Sequence, residues 1–198
     1  CINCIRTLPH VTGWYEKYKD KGFVVVGVHS PEFEFEKKTE NVQNAIKQYN
    51  ITYPVAQDND FQTWNAYSNQ YWPAKYLIDK DGNIRYVHFG EGKYEETEKA
   101  IQELLKEAGQ KVDNALEKMP DQTPRMRLSP ETYLGSERMQ YYFPSSSLSN
   151  GKSNFKLDEN PSPNSFSLGG EWEINDEYSQ TSKNSTLTYN FYADKVFL

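Results

Sequence analysis

Residues 1–10, CINCIRTLPH, contain both cysteines of the chain, Cys1 and Cys4, at the spacing Cys-x-x-Cys. Three kinds of site use this spacing: a redox pair, half of a metal site and a structural disulfide. At a helix N-terminus, unpaired N–H groups and the helix dipole stabilise a thiolate, which favours redox chemistry. A helix is predicted to begin at the cysteines because apolar residues follow at helical intervals: Leu8, Val11, Tyr15 and Tyr18.

The redox hypothesis assigns a different role to each cysteine. We expect Cys1, the outer thiol, to attack a substrate disulfide, and Cys4 to resolve the mixed disulfide and release the product. A structural crosslink over so short a loop would remove little chain entropy. A zinc site needs about four ligands, and the 3 histidines show no paired-ligand spacing. A redox pair is therefore favoured over the structural and metal alternatives. No metal or organic cofactor is expected, since the cysteines carry the electrons.

Residues 1–109 alternate between helical and strand-like patterns. This predicts an α/β domain with a mixed central sheet flanked by helices. The continuous apolar run 23–28 is typical of a strand that is covered on both faces. Two further strands are joined by Asp81-Gly82, a strong hairpin signal. Helical spacing recurs at 42–49 and at 95–108.

The pattern changes after residue 109. Residues 110–131 are punctuated by prolines and are predicted to be a connector. Residues 132–198 lack helical periodicity and contain short alternating or aromatic segments, which is typical of an all-β sandwich. Trp172 and the aromatic run 141–143 are candidates for a sugar-stacking surface, although a core position is the favoured interpretation.

Composition restricts the classes of function. The formal net charge is −6 and the isoelectric point is about 5.2. This argues against nucleic-acid binding, because that function requires a basic surface. No apolar run approaches the roughly 18 residues that a membrane-spanning helix needs.

Several motifs resemble the thioredoxin-like family. The Cys-x-x-Cys helix with a proline five residues later resembles the family's active-site helix, and residues 71–79, YWPAKYLID, resemble its cis-proline segment and following strand. The long insert between the apolar strand that begins at residue 23 and that segment resembles the arrangement in the extracytoplasmic TlpA/redoxin branch of the family. Residues 129–135, SPETYLG, resemble the C-terminal region of the DipZ proteins. Those are bacterial membrane proteins of the CcdA type, and their second domain is a jelly-roll sandwich similar to a carbohydrate-binding module.

The resemblance implies further site residues. Pro73 would be a cis-proline packed against the disulfide, and the backbone of Trp72 would pair with an extended substrate segment. Ile2 and Asn3 lie between the cysteines, where they would contact the substrate and help to set the reduction potential.

An acid that takes the proton of the resolving cysteine is also implied. In relatives this acid lies upstream of the motif or three residues after it, and the second of these positions is Thr7 here. The nearest substitute is Glu32, in the loop after the apolar strand, with Glu34 and Glu36 close by. The alternative is that 30–36 is a loop leading into a solvated helix.

The resemblance further predicts a chain truncated at both ends. In thioredoxin-like sheets a central strand runs directly into the Cys-x-x-Cys motif. We therefore expect residues upstream of Cys1 and one strand of the sheet from outside 1–109. At the other end, residues 195–198 are typical of the middle of a strand.

The favoured function is an extracytoplasmic thiol–disulfide oxidoreductase. Its partners would be protein thiols and disulfides and a CcdA-type membrane protein that keeps the pair reduced, with membrane association through an upstream segment or that partner. The first alternative is a thiol peroxidase, although no Thr or Arg signature of the peroxiredoxin type surrounds Cys1. The second is a cell-wall carbohydrate-binding module with an accessory redox domain, in which a glycan is the candidate ligand of the sandwich.

Overall fold

The structure is a computed structural model that describes residues 1–181, 184–193 and 195–196. They form two units that divide between Thr123 and Pro124. This division lies inside the predicted connector 110–131, because residues 110–123 belong to the first unit. One hydrogen bond that holds them there is donated by Lys17 Nζ to the carbonyl oxygen of Ala115, at 2.6 Å.

The first helix, α1 (Ile2–Tyr18), begins directly after Cys1, as predicted. It continues through Pro9, which has no N–H for one of the backbone hydrogen bonds. The buried face differs from the predicted apolar stripe, because two polar residues contribute to it: Thr7, His10, Trp14 and Tyr18. The residues at the three other predicted positions, 8, 11 and 15, are only half-buried.

Three more helices follow: α2 (Thr39–Gln48), α3 (Gln62–Ala66) and α4 (Tyr94–Glu107). Short 3-10 helices cover Lys19–Lys21 and Glu34–Lys37. Acidic side chains in the first turn of α4 complement the helix dipole, as the sequence indicates. The core of the unit lies between α1 and α4: Trp14, Tyr18, Tyr94, Ile101 and Leu105.

The strands of the first unit form two separate two-stranded sheets. Strands β1 (Gly27–His29) and β2 (Val55–Gln57) pair in parallel. Strands β3 (Ala74–Ile78) and β4 (Ile84–Phe89) pair antiparallel, as the hairpin signal predicts. The Asp79 carboxylate holds the turn by accepting hydrogen bonds from the backbone N–H groups of Asp81 and Asn83, at 3.0 and 2.9 Å.

Two predictions for this sheet differ from the structure. The predicted mixed central sheet is divided, since the described residues contain no ladder between the β1–β2 pair and the β3–β4 pair. The run 23–28 is also not covered on both faces, because Val24 is 72% exposed and Val26 is 58% exposed. An apolar, β-branched run favours extended backbone, but burial depends on elements packed on each side of it.

The second unit contains one four-stranded antiparallel sheet: β5 (Gly151–Phe155), β6 (Ser165–Ile174), β7 (Ser179–Gln180) and β8 (Thr186–Asn190). The long strand β6 pairs with β8 along its first half and with β5 along its second. The change of partner occurs at Gly169-Gly170, where a side chain on Gly169 would collide with Leu157 and Gly170 has a positive φ of 85°.

The sheet packs over its own core: Met139, Phe166, Leu168, Trp172 and Ile174. Trp172 is 8% exposed and donates a hydrogen bond from Nε1 to the carbonyl oxygen of Gly169, which confirms the favoured core position. Of the predicted C-terminal strand 195–198, residues 195 and 196 are outside any strand, and 197 and 198 lie outside the described residues.

Candidate active site

The two cysteines occupy different environments at the start of α1. Cys1 is exposed at the N-cap position, whereas Cys4 is half-buried in the first turn, and both thiols are free. The pKa of the Cys4 thiol is raised to about 11, chiefly by burial and to a smaller extent by the negative charges of Glu36 and Glu32. At neutral pH, Cys4 therefore carries its proton, and the accessible sulfur is that of Cys1.

The structure brings the predicted Glu32 close enough for its charge to act on Cys4, and it adds Glu36. Glu36 has the larger effect of the two carboxylates on the Cys4 pKa. Its side chain accepts a hydrogen bond from the backbone N–H of Glu32 at 2.6 Å, which ties the loop together. Glu34 is exposed. Both carboxylates are negatively charged and raise the Cys4 pKa. They therefore disfavour a thiolate at that position.

The Trp72–Pro73 peptide bond is cis, as predicted. The Trp72 indole donates a hydrogen bond from Nε1 to the carbonyl oxygen of Ser30 at 3.0 Å, and its ring lies 4.2 Å from that of Trp64. Trp72 is thus fastened to the loop after β1, which also carries Glu32. The carbonyl oxygen of Pro73 accepts a hydrogen bond from the N–H of Gly90 at 2.7 Å.

A buried aspartate organises the loop beneath Trp72. Asp58 accepts hydrogen bonds from the Ser30 hydroxyl at 3.0 Å and from the backbone N–H groups of Thr63 and Trp64 at 2.9 Å. These bonds hold the Asp58 pKa below its usual range, against the opposing effect of burial. Asp58 therefore links the loop after β1 to the first turn of α3.

Ile2 and Asn3 are half-buried in the first turn of α1. The backbone carbonyl of Asn3 accepts a hydrogen bond from the Thr7 hydroxyl at 2.9 Å. The Thr7 oxygen also lies 3.4 Å from the Tyr94 hydroxyl, and the Tyr94 ring stacks on His10 at 3.5 Å. Thr7, at the position where some relatives have an acid, is thus engaged in packing α1 against α4.

The sequence analysis missed Lys75, whose pKa responds to the charge of a Cys4 thiolate. Lys75 Nζ donates a hydrogen bond to the carbonyl oxygen of Gly90 at 2.9 Å and lies 5.9 Å from the centre of the Tyr94 ring. Burial lowers its pKa to about 8, while a Cys4 thiolate and Glu91 act in the opposite direction. Strand alternation was a usable signal, because Lys75 lies on the same strand face as Leu77, a half-buried residue that packs against the core.

Neither metal-binding clusters nor membrane-spanning helices occur in the described part of the chain. Its His, Cys, Asp and Glu side chains form no group of three or more that could hold a metal ion. None of its helices combines the length and apolar character needed to cross a membrane.

Comparison with known proteins gives two family matches. Residues 1–87 match the AhpC/TSA family, and residues 129–198 match the thioredoxin like C-terminal domain. The thiol-disulfide oxidoreductase YkuV of Bacillus subtilis is 31% identical over 107 residues, which cover 54% of this chain and 72% of YkuV. The chain belongs to the thioredoxin-like family. A solution structure of a thioredoxin-like protein in the oxidized form agrees, with 31% identity and a TM-score of 0.50 over 54% of this chain and 72% of its own.

The family resemblance extends through the second unit. Protein DipZ of Mycobacterium tuberculosis is 41% identical over 202 residues, and the match covers 100% of this chain. The chain spans 29% of the length of DipZ. The predicted similarity to the thioredoxin-like family and to DipZ is therefore confirmed.

Proposed function

We propose that the protein is a thiol–disulfide oxidoreductase that exchanges electrons with the disulfides of other proteins. The observation that carries this proposal is the asymmetry of the cysteine pair. Cys1 is exposed at the N-terminus of α1, and Cys4 is half-buried with a pKa of about 11. An accessible outer thiol and a protected inner thiol are what a two-step exchange requires.

In the reducing direction, the Cys1 thiolate attacks one sulfur of the substrate disulfide. The substrate S–S bond breaks, its other sulfur leaves as a thiolate, and a mixed disulfide with Cys1 remains. Cys4 then attacks the Cys1 sulfur and loses its proton, which releases the second substrate thiolate. The substrate gains two electrons, and the protein is left with a Cys1–Cys4 disulfide.

Substrate positioning is assigned to the residues around the pair. The backbone N–H and carbonyl of Trp72 are assigned to pairing with an extended substrate segment, and no hydrogen bond of the described residues uses them. Pro73, Ile2 and Asn3 would line the same contact. Glu32 stays a proposed site residue through its effect on the charge of Cys4.

We assign the reduced state of the pair to an electron donor of the CcdA type, and the location to the extracytoplasmic side of a membrane. The similarity to DipZ along the whole chain supports both assignments. Oxidised protein should be re-reduced by membranes that contain such a donor, and membranes without it should leave the disulfide intact. Thiol alkylation reads out both states.

Insulin reduction in the presence of dithiothreitol tests the central proposal. The intact protein should accelerate the precipitation of insulin chains, and Cys1→Ser should abolish the acceleration. An intact protein without activity overturns the proposal. A redox titration by thiol alkylation then gives the reduction potential, which decides the direction of electron flow.

A thiol peroxidase is the second candidate, favoured by the AhpC/TSA match over residues 1–87. Cys1 would attack a peroxide, form a sulfenic acid, and condense with Cys4 to a disulfide and water. Consumption of hydrogen peroxide by the reduced protein is the test. A rate no faster than that of Cys1→Ser excludes this activity.

For the second unit we keep a carbohydrate-binding module of jelly-roll type as a proposal, with a cell-wall glycan as ligand. The buried Trp172 is unsuitable as a stacking platform. Exposed aromatic side chains are better placed, and Tyr178 and Tyr192 are the most exposed of those described in this unit. A glycan array with Tyr178→Ala and Tyr192→Ala variants as controls tests the assignment.

A further inference from the structure

Lys75 is a half-buried cation with few compensating contacts. Its ammonium has three N–H donors, and among the described residues it has one acceptor, the carbonyl oxygen of Gly90 at 2.9 Å. The Tyr94 ring covers it from α4, with the nitrogen 5.9 Å from the ring centre. A desolvated cation with a single hydrogen bond is costly, so a purely structural role explains it poorly.

The residues around Lys75 also contact the N-terminal part of α1. Glu91, the residue after Gly90, binds Arg6 of α1 at 3.0 Å. The Tyr94 hydroxyl lies 3.4 Å from the hydroxyl oxygen of Thr7, which is one turn of α1 after Cys4 and on the same face. A Cys4 thiolate would raise the pKa of Lys75 through its charge. These contacts place the amine on the side of α1 that carries the inner thiol.

The other groups near Cys4 are poorly suited to take its proton. Glu36, Glu32 and Glu91 are carboxylates, which are weaker bases than an amine. Glu36 already accepts a hydrogen bond from the backbone N–H of Glu32, and one Glu91 oxygen is bound by Arg6. The Thr7 hydroxyl is neutral and donates a hydrogen bond to the carbonyl oxygen of Asn3. Lys75 is therefore the strongest base among these groups.

We propose that Lys75, as a neutral amine, receives the proton of Cys4 when Cys4 attacks the mixed disulfide. This inference rests on the proposed oxidoreductase function. The Cys4 S–H bond breaks and its proton moves to Nζ, while the Cys4 sulfur forms a bond to the Cys1 sulfur. The bond between Cys1 and the substrate sulfur breaks, and its electron pair leaves on the substrate thiolate. Lys75 ends as an ammonium ion and returns its proton to solvent.

The sign of the pH dependence follows from the Lys75 pKa of about 8. The neutral amine rises from about a tenth of the population at pH 7 to most of it above pH 9, so the resolving step should accelerate about tenfold. Five other titratable groups surround Lys75: Cys4 and His10 from α1, His88 from β4, Glu91 from the following loop and Tyr94 from α4. Burial lowers the pKa values of both histidines, so they are neutral throughout this range.

The two cysteine steps can be measured separately in the full chain of 198 residues. One equivalent of dithiobisnitrobenzoate reacts with the reduced protein, and the first yellow thiolate released reports attack by Cys1. The second reports resolution by Cys4. The variants are Lys75→Met, which removes the base, and Lys75→Arg, which keeps the charge but cannot accept a proton. Lys99→Met, at an exposed position on α4, is the matched control.

We expect the second release in the wild type to rise with a midpoint near pH 8. Lys75→Met and Lys75→Arg should both slow it by about a hundredfold at pH 8, with the first release unchanged. Lys99→Met should match the wild type. A normal second release in Lys75→Arg overturns the proposal, because charge alone would then suffice, and so does a wild-type rise that occurs only toward pH 11.

The result also separates this inference from the proposed function. If the wild type shows no first release, the oxidoreductase proposal itself fails. If the first release is normal and the Lys75 variants leave the second unchanged, only the role of Lys75 fails. Should Lys75→Met not fold, as judged by circular dichroism, the wild-type pH profile and Lys75→Arg still decide.

Discussion

Glu98 and Lys75 are both charged side chains withdrawn from water in the first unit, but their surroundings differ. Glu98 is 2% exposed and accepts hydrogen bonds from Tyr18 at 2.7 Å, Lys17 at 2.9 Å and the backbone of Glu117 at 2.8 Å. Lys75 has one described acceptor, the carbonyl oxygen of Gly90. A fully paired buried charge serves the fold, whereas a sparsely paired charge beside a thiol is available for chemistry.

The largest effect is expected from the removal of Cys4, the thiol whose proton Lys75 is proposed to receive. Cys4→Ser should leave Cys1 attack intact, trap the mixed disulfide and reduce insulin turnover by about a thousandfold or more. In this background Lys75→Met should have no further effect, because the two residues act in the same step. Mass spectrometry of the trapped adduct and the double variant check both points. A further loss of rate in the double variant, relative to Cys4→Ser alone, would show that Lys75 and Cys4 act in different steps.

Removal of Glu98 should cost stability rather than alter the exchange chemistry. Glu98→Ala leaves Lys17, Tyr18 and one backbone N–H without their acceptor, so we expect a loss of about 3 kcal/mol of unfolding free energy. Urea denaturation gives the value. Glu103→Ala, at an exposed position on the same helix, should be neutral. A loss of unfolding free energy no larger than that of Glu103→Ala would contradict the structural role of Glu98.

Lys75→Met should show the opposite behaviour in the same denaturation experiment. Replacing a sparsely paired, half-buried cation with an apolar side chain removes a desolvation cost, so stability should stay within about 1 kcal/mol of the wild type or increase. A loss as large as that of Glu98→Ala would assign Lys75 to the fold, and the distinction between the two charges would disappear.

The smallest expected effect concerns the acidic loop. Glu36→Gln should lower the Cys4 pKa from about 11 more than Glu32→Gln does, because Glu36 has the larger effect on this thiol. Alkylation of Cys4 against pH, in a Cys1→Ser background, measures both pKa values. Glu40→Gln, exposed on α2, should leave the curve unchanged. If Glu32→Gln lowered the Cys4 pKa more than Glu36→Gln, the Glu32 carboxylate would be the one with the larger effect on this thiol, which would contradict the structure.

Much of the candidate site follows from local patterns. The Cys-x-x-Cys motif and the helical spacing after it locate the start of α1. Asp81-Gly82 indicates the β3–β4 hairpin, whereas the cis bond at Trp72–Pro73 was expected from the family resemblance. These signals are short, and each depends on residues that are neighbours in the chain.

The remaining features depend on contacts between distant segments. Periodicity selected the stripe beginning at Leu8 in α1, but stacking on Tyr94 buries His10 instead. The composition of 23–28 predicted a fully covered strand, but Val24 is exposed because no described element covers it.

By itself, the sequence determined the Cys-x-x-Cys motif, the helix that begins at it and the change of pattern between the two units. These features follow from residue spacing and from backbone preferences that hold in any surroundings. Only the tertiary structure decided which charges act on Cys4. Electrostatic effects depend on separation in space and on exclusion of water. The effect of Glu36 on Cys4 and the involvement of Lys75 therefore became visible only when the loop after β1, strand β3 and helix α1 were brought together.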